Sequence, residues 1–147
     1  MSDIKNRALS SLPHGPEFRF LDRLLDLAPG ISGTAEYKVR GDEPFLKGHF
    51  PNAPLFPGVL LVEAAAQLAG TVAQSDPVIP AMQGLKLTAI RSLKILGSAK
   101  PGDLIRLEAK VTGRLGNLVQ AHATATVHGA VVMQGDLTLS GEGTGLA

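Results

Sequence analysis

The sequence predicts an α+β fold, a curved antiparallel sheet of about six strands wrapped around one long central helix. Three observations predict it. The segment from Pro57 to about Ala73 has helical character and is apolar all round, the mark of a buried helix. Two successive segments in the C-terminal half alternate apolar and polar residues, as antiparallel strands with one packed and one wet face do. Strand signals stand on both sides of the helix, and a single all-apolar helix is most simply covered by a sheet bent around it.

In chain order, "SDIKNRALSSLP" reads as a short helix, with Ser2 or Asp3 as cap and Pro13 as terminator. "FRFLDRLLDLAPG" and "ISGTAEYKVR" read as two strands joined at Pro29–Gly30, the second setting Ala35, Tyr37 and Val39 against Glu36, Lys38 and Arg40. Residues 41–57 carry four prolines and two glycines, which predicts a long rigid loop. Pro57 suits the first turn of the helix, where its missing N–H costs nothing. "GLKLTAIRSLKIL" reads as a long strand, followed by a turn at Pro101–Gly102.

"DLIRLEAKVTG" then places Ile105, Leu107, Ala109 and Val111 on one face of a strand. The next strand repeats the pattern with Val119, Ala121, Ala123, Ala125 and Val127, leaving His122 and His128 on the polar phase. "AVVMQGDLTL" is the last strand, entered through a tight turn at Gly129.

A chain of 147 residues is expected to form one domain, 1–147. With 44% hydrophobic and 18% charged residues it is too apolar for disorder. A net charge of +1 argues against a nucleic-acid partner. The absence of cysteine excludes disulfides, a thiolate nucleophile and cysteine-held metal, and fits a reducing compartment. The N-terminus lacks a signal-peptide pattern and no run reaches roughly 18 apolar residues, so a cytoplasmic protein without membrane insertion is expected.

Against this background the helix holds an anomaly, because Glu63 follows Val59, Leu60, Leu61 and Val62 and precedes three alanines. Leu60, Glu63, Ala64, Gln67 and Thr71 share one helical stripe. Glu63, Gln67 and Thr71 could mark a polar pocket, or Glu63 could simply cap a buried hydrogen-bond network. A buried carboxyl becomes a proton donor as burial disfavours its charge. In the preceding loop, "GHFPNAPLFPG" presents His49 where prolines limit backbone freedom, and histidine is the side chain suited to proton transfer near neutral pH. Gly58 stands at the helix start, where unpaired backbone N–H groups can stabilise an oxyanion. No G-x-S-x-G elbow occurs.

These residues belong to a run, "EPFLKGHFPNAPLFPGVLLVEAAAQ", that resembles the active-site region of the FabZ-type 3-hydroxyacyl-(acyl carrier protein) dehydratases. "LPHGPEFRFLDRLLDL" is similar to that family's LPH and F-x-x-x-DR elements, although the family usually reads LPHRxPF there. The resemblance implies the hotdog fold and a hydro-lyase acting without metal or organic cofactor. It implies His49 and Glu63 as the catalytic pair, and Gly58 as the N–H donor to the thioester carbonyl. Val59, Phe50, Phe56 and Gln67 are the accompanying candidates for substrate contact, although Phe50 and Phe56 also read as core.

The family implies a homodimer, each active site combining His49 of one subunit with Glu63 of the other, with a trimer of dimers as a further assembly. The related FabA type carries Asp where this chain has Glu63. The expected partner is an acyl carrier protein bearing a 3-hydroxyacyl thioester, with Arg91 and Lys94 as docking candidates. A hotdog thioesterase, with Glu63 activating water, and a non-catalytic subunit of a mixed dimer are the alternatives. His14 has two minor readings, as a buttress of its loop or as a metal ligand with His49 and Glu63.

Overall fold

The computed structural model describes the backbone of residues 2–142 and the side chains of residues 4–142. Helix α1 spans Ser2–Ser10 and α2 spans Gly58–Gln74. The expected cap at Ser2 or Asp3, and the far end of the expected 1–147 domain, lie outside the described side chains and residues. Six strands, β1 (Arg23–Ala28), β2 (Ser32–Lys38), β3 (Lys86–Ile95), β4 (Leu104–Leu115), β5 (Leu118–Val127) and β6 (Ala130–Ser140), form one sheet. Their order is β1-β2-β4-β5-β6-β3, and every neighbouring pair is antiparallel. The sheet wraps α2, which is the hotdog fold.

Alternation in β4 and β5 does what the sequence predicts. Ile105, Leu107, Ala109, Val119, Ala121, Ala123, Ala125 and Val127 face the core, joined from α2 by Leu61, Ala65, Leu68, Ala69 and Val72. Each larger aliphatic side chain buried in this way is worth ~1.5–3 kcal/mol. The many alanines let helix and sheet approach closely. At Gly33 on β2 the approach leaves no space for a side chain, since a Cβ there would stand 2.8 Å from Val72 Cγ2.

The first strand begins later than the sequence suggests. Pro16–Phe18 form a 3₁₀ turn, and the amide of Phe20 donates to the side chain of Gln67 instead of joining the sheet. The amide of Asp22 bonds Glu36 O, and β1 starts one residue later. The 41–57 loop is also less irregular than expected, containing a 3₁₀ turn at Pro44–Lys47. Pro57 is the N-cap of α2 and lies just outside its first turn. The helix is not apolar and buried all round either, because Val59 is 72% exposed and Gly58, Leu60 and Glu63 are half-buried. His128 sits in the β5–β6 turn with φ 51° instead of on a strand, and pairs with Asp103 at 3.0 Å. No helix among the described residues is long and apolar enough to cross a membrane.

Candidate active site

Helix α2 presents Glu63 and, one turn on, Gln67. Gln67 is buried and spends its amide completely. Its Oε1 accepts from the amide of Phe20 at 2.9 Å, and its Nε2 donates to Phe18 O at 2.8 Å and to Glu63 Oε2 at 3.1 Å. Thr71 Oγ1 donates to Gln67 O at 2.8 Å, which closes the expected polar stripe. Glu63 itself is not deeply buried, its side chain being 24% exposed.

A residue with only minor readings in the sequence completes this group. His14 Nε2 lies 3.3 Å from Glu63 Oε2. Arg19 Nη2 donates to the carbonyls of Leu12 and His14, each at 3.3 Å, and so fastens the turn that carries the imidazole. The ring of His14 also stacks near Phe18, with centroids 6.3 Å apart. His14 and Glu63 lie forty-nine positions apart in the chain. The only local signal was a histidine set between prolines in "LPHGPEF".

His14, Glu63 and Gln67 lie on the wall of a cavity of about 720 Å³, within the size range of small-molecule sites. From this polar end the cavity follows α2 past Ala66, Gly70, Thr71 and Gln74. Its far wall is formed mainly by Met82, Leu85, Leu87 and Leu139. One carboxyl in a lining that is mostly apolar, though Thr71, Gln74 and Lys86 also contribute, suits a ligand with a reactive group and an aliphatic part.

The remaining sequence-predicted residues stand apart from this cavity within the chain. His49, Phe50, Phe56, Gly58 and Val59 are absent from its wall. Phe56 is core, packed among Phe20, Tyr37 and Phe45 at centroid separations of 5.6 to 5.8 Å. Phe50 is half exposed and stacks on His49 at 4.1 Å. The amides of Leu60 and Leu61 both take Pro57 O, while the first-turn amides of Gly58 and Val59 have no acceptor inside the helix.

The tautomer of His49 follows from its surroundings. Its Nδ1 lies 2.9 Å from Leu55 O, and a carbonyl can only accept, so Nδ1 carries the proton and a neutral ring keeps a bare Nε2. Leu55 N returns a bond to His49 O at 2.8 Å. The imidazole is thus pinned to its loop with a basic nitrogen available.

The loop is anchored upstream at Glu43. Burial works against its charge, but the Tyr37 hydroxyl and the amides of Arg40 and Gly41 all donate to its carboxylate and hold it below the usual glutamate range. Burial, followed by the hydrogen bond to Glu43, pushes the Tyr37 phenol well above its ordinary value. Glu43 stands in the quoted run as a bare "EP", which gave no sign of this role.

A FabA-like domain model matches residues 12–136 of the chain. The chain is 36% identical over 137 residues to the "3-hydroxyacyl-[acyl-carrier-protein] dehydratase FabZ" of Roseiflexus sp. (strain RS-1), covering 92% of this chain and 95% of that one. It is 36% identical over 129 residues to the FabZ of Myxococcus xanthus (strain DK1622), covering 87% and 84%. Among solved structures it is similar to the dehydratase heterocomplex ApeI:P from Xenorhabdus doucetiae, with a TM-score of 0.78 and 15% identity over 95% of this chain and 92% of that one. A hypothetical thioesterase with coenzyme A from Streptococcus pneumoniae TIGR4 gives a TM-score of 0.62 at 15% identity, over 82% and 85%. At these identities the structural likeness speaks to the fold alone.

Proposed function

The chain belongs to the FabA-like domain family, and within it to the FabZ dehydratases, and from that premise we infer its reaction. It removes water from a (3R)-hydroxyacyl thioester held on acyl carrier protein, leaving the trans-2-enoyl thioester, in fatty-acid or related acyl-chain synthesis. The observation that carries this reading is Glu63 at the polar end of an otherwise largely apolar cavity.

In this reading each residue has one task. Nε2 of His49 takes the C2 proton, and the electron pair of that C–H bond becomes the C2=C3 π bond. Glu63 gives its proton to the C3 hydroxyl as the C3–O bond breaks, and water departs. The helix-start amide of Gly58 holds the thioester oxygen as charge gathers on it. The proton on His49 returns to Glu63 through solvent, so the enzyme ends as it began. The acyl chain lies along Met82, Leu85, Leu87 and Leu139.

His49 and Glu63 meet across two copies of the chain. Support for this comes from the separation of His49 from the Glu63 cavity within one chain, and from exposed apolar side chains at Phe50, Val59, Ile90, Ile95 and Leu96. Strand β3 lies at the edge of the sheet, and its exposed Arg91 and Lys94 suit an acidic carrier.

The test is enoyl formation from 3-hydroxyacyl thioesters of several chain lengths by the native chain, His49→Ala and Glu63→Gln. Conversion by the native chain, lowered by about 100- to 10,000-fold in each folded variant, supports the reading. Release of free thiol without enoyl product would favour a thioesterase instead, and no conversion of any substrate would sink the assignment.

A further inference from the structure

We propose that His14 is a positioning residue for the reaction, which with Gln67 confines the acid proton of Glu63 to Oε1. The proposal rests on the function inferred above and adds to it a residue from outside the expected catalytic pair.

Two groups approach the same carboxyl oxygen. Gln67 Nε2 lies 3.1 Å from Glu63 Oε2 and is a donor, because its Oε1 is committed to the amide of Phe20. His14 Nε2 lies 3.3 Å from that same Oε2. The other ring nitrogen, Nδ1, is buried without a hydrogen-bond partner. A buried N–H left unpaired is rarer in proteins than a buried lone pair left unpaired. The neutral ring therefore leaves Nδ1 bare and carries its hydrogen on Nε2, directed at Glu63.

Oε2 then accepts from two sides and has no room for a proton of its own. Among the described residues no hydrogen bond reaches Oε1. A protonated Glu63 holds its hydrogen on Oε1, the oxygen left for a ligand. When that O–H bond breaks, the proton goes to the departing hydroxyl and the new carboxylate already has two donors on Oε2. Donors to an ionised group form the stronger class of hydrogen bond, so both contacts strengthen as the charge develops. Arg19, bonded to the carbonyls of Leu12 and His14, keeps the imidazole in place. In this respect His14 does for the acid what Leu55 O does for the base.

The test uses the full chain with His14→Phe, which keeps packing against Phe18, and His14→Gln, whose Nε2 can stand where the ring Nε2 stands. His14→Phe is expected to lower kcat roughly 10- to 100-fold with little change in KM, while His14→Gln recovers most of that loss. In a Glu63→Gln background His14→Phe should add almost nothing, because the group it positions is gone. An unchanged kcat, or a loss that adds in full to that of Glu63→Gln, would overturn the proposal.

A second measurement is independent of activity. Histidine ¹⁵N spectra should show His14 protonated on Nε2, with that signal moving in Glu63→Ala. A ring protonated on Nδ1, or one indifferent to Glu63→Ala, overturns the proposal. Absence of dehydration by the native chain would instead count against the inferred reaction, and these spectra would still decide the role of His14.

Discussion

The hydroxyl of Tyr37 donates to Glu43 Oε2 at 2.6 Å, tying the inner face of β2 to the start of the loop that ends at His49. The same carboxylate also receives the amides of Arg40 and Gly41. One carboxylate thus fixes the root of the loop, while the bonds between His49 and Leu55 fix its far end.

Glu43 is held below the usual glutamate range, which sets the sign of a pH effect. A group with a lowered folded pKa contributes stability above its unfolded value and loses it as pH falls through the folded one. Glu43→Gln should therefore be less stable than the native chain at neutral pH by roughly 1–2 kcal/mol. Melting curves run from neutral pH downward should show the gap narrowing in the acid range, and a gap constant with pH would refute this.

Gln67→Leu removes the acceptor of the Phe20 amide and the donors to Phe18 O and Glu63. The unpaired Phe20 N–H alone costs about 1–3 kcal/mol. Denaturant unfolding should show at least that loss, together with reduced turnover.

Gly33→Ala sets a methyl against Val72 Cγ2, where an added Cβ would lie at 2.8 Å. Overpacking of this kind costs typically 1–3 kcal/mol. Adding Val72→Ala should recover part of the loss, and failure of the pair to couple in a double-mutant cycle would show that the contact is not the cause.

Gly70 lines the cavity between its polar and apolar ends. An added Cβ would meet only Leu85 Cδ2 at 3.6 Å and Leu139 Cδ1 at 3.8 Å, so Gly70→Ala fits. Gly70→Leu fills the channel. It should retain short hydroxyacyl substrates and lose long ones, as kcat/KM across a chain-length series would reveal.

The fold was legible because alternation and the apolar helix are local patterns, each repeated often enough to outweigh single exceptions. Glu63 was legible as a lone carboxylate in an apolar run. His14 was not, since its meaning depends on a contact across forty-nine positions. The late start of β1 was hidden for the same reason, because Phe20 gives its amide to a side chain on α2 and no local pattern encodes that. The exposure of Val59 and Glu63 depends on which other segments pack over the start of the helix, which the helix sequence does not contain.

The strand order carries a consequence for synthesis. β3 emerges from the ribosome before β4, β5 and β6, yet its sheet partner is β6, the last strand of the chain. Until Ala130–Ser140 is made, a half-apolar strand with Ile90 and Ile95 exposed even in the finished chain lacks its sheet partner. Unpaired strand edges of this kind are where nascent chains stick to one another. The cations Arg91 and Lys94 make β3 a poor template for its own kind while it waits.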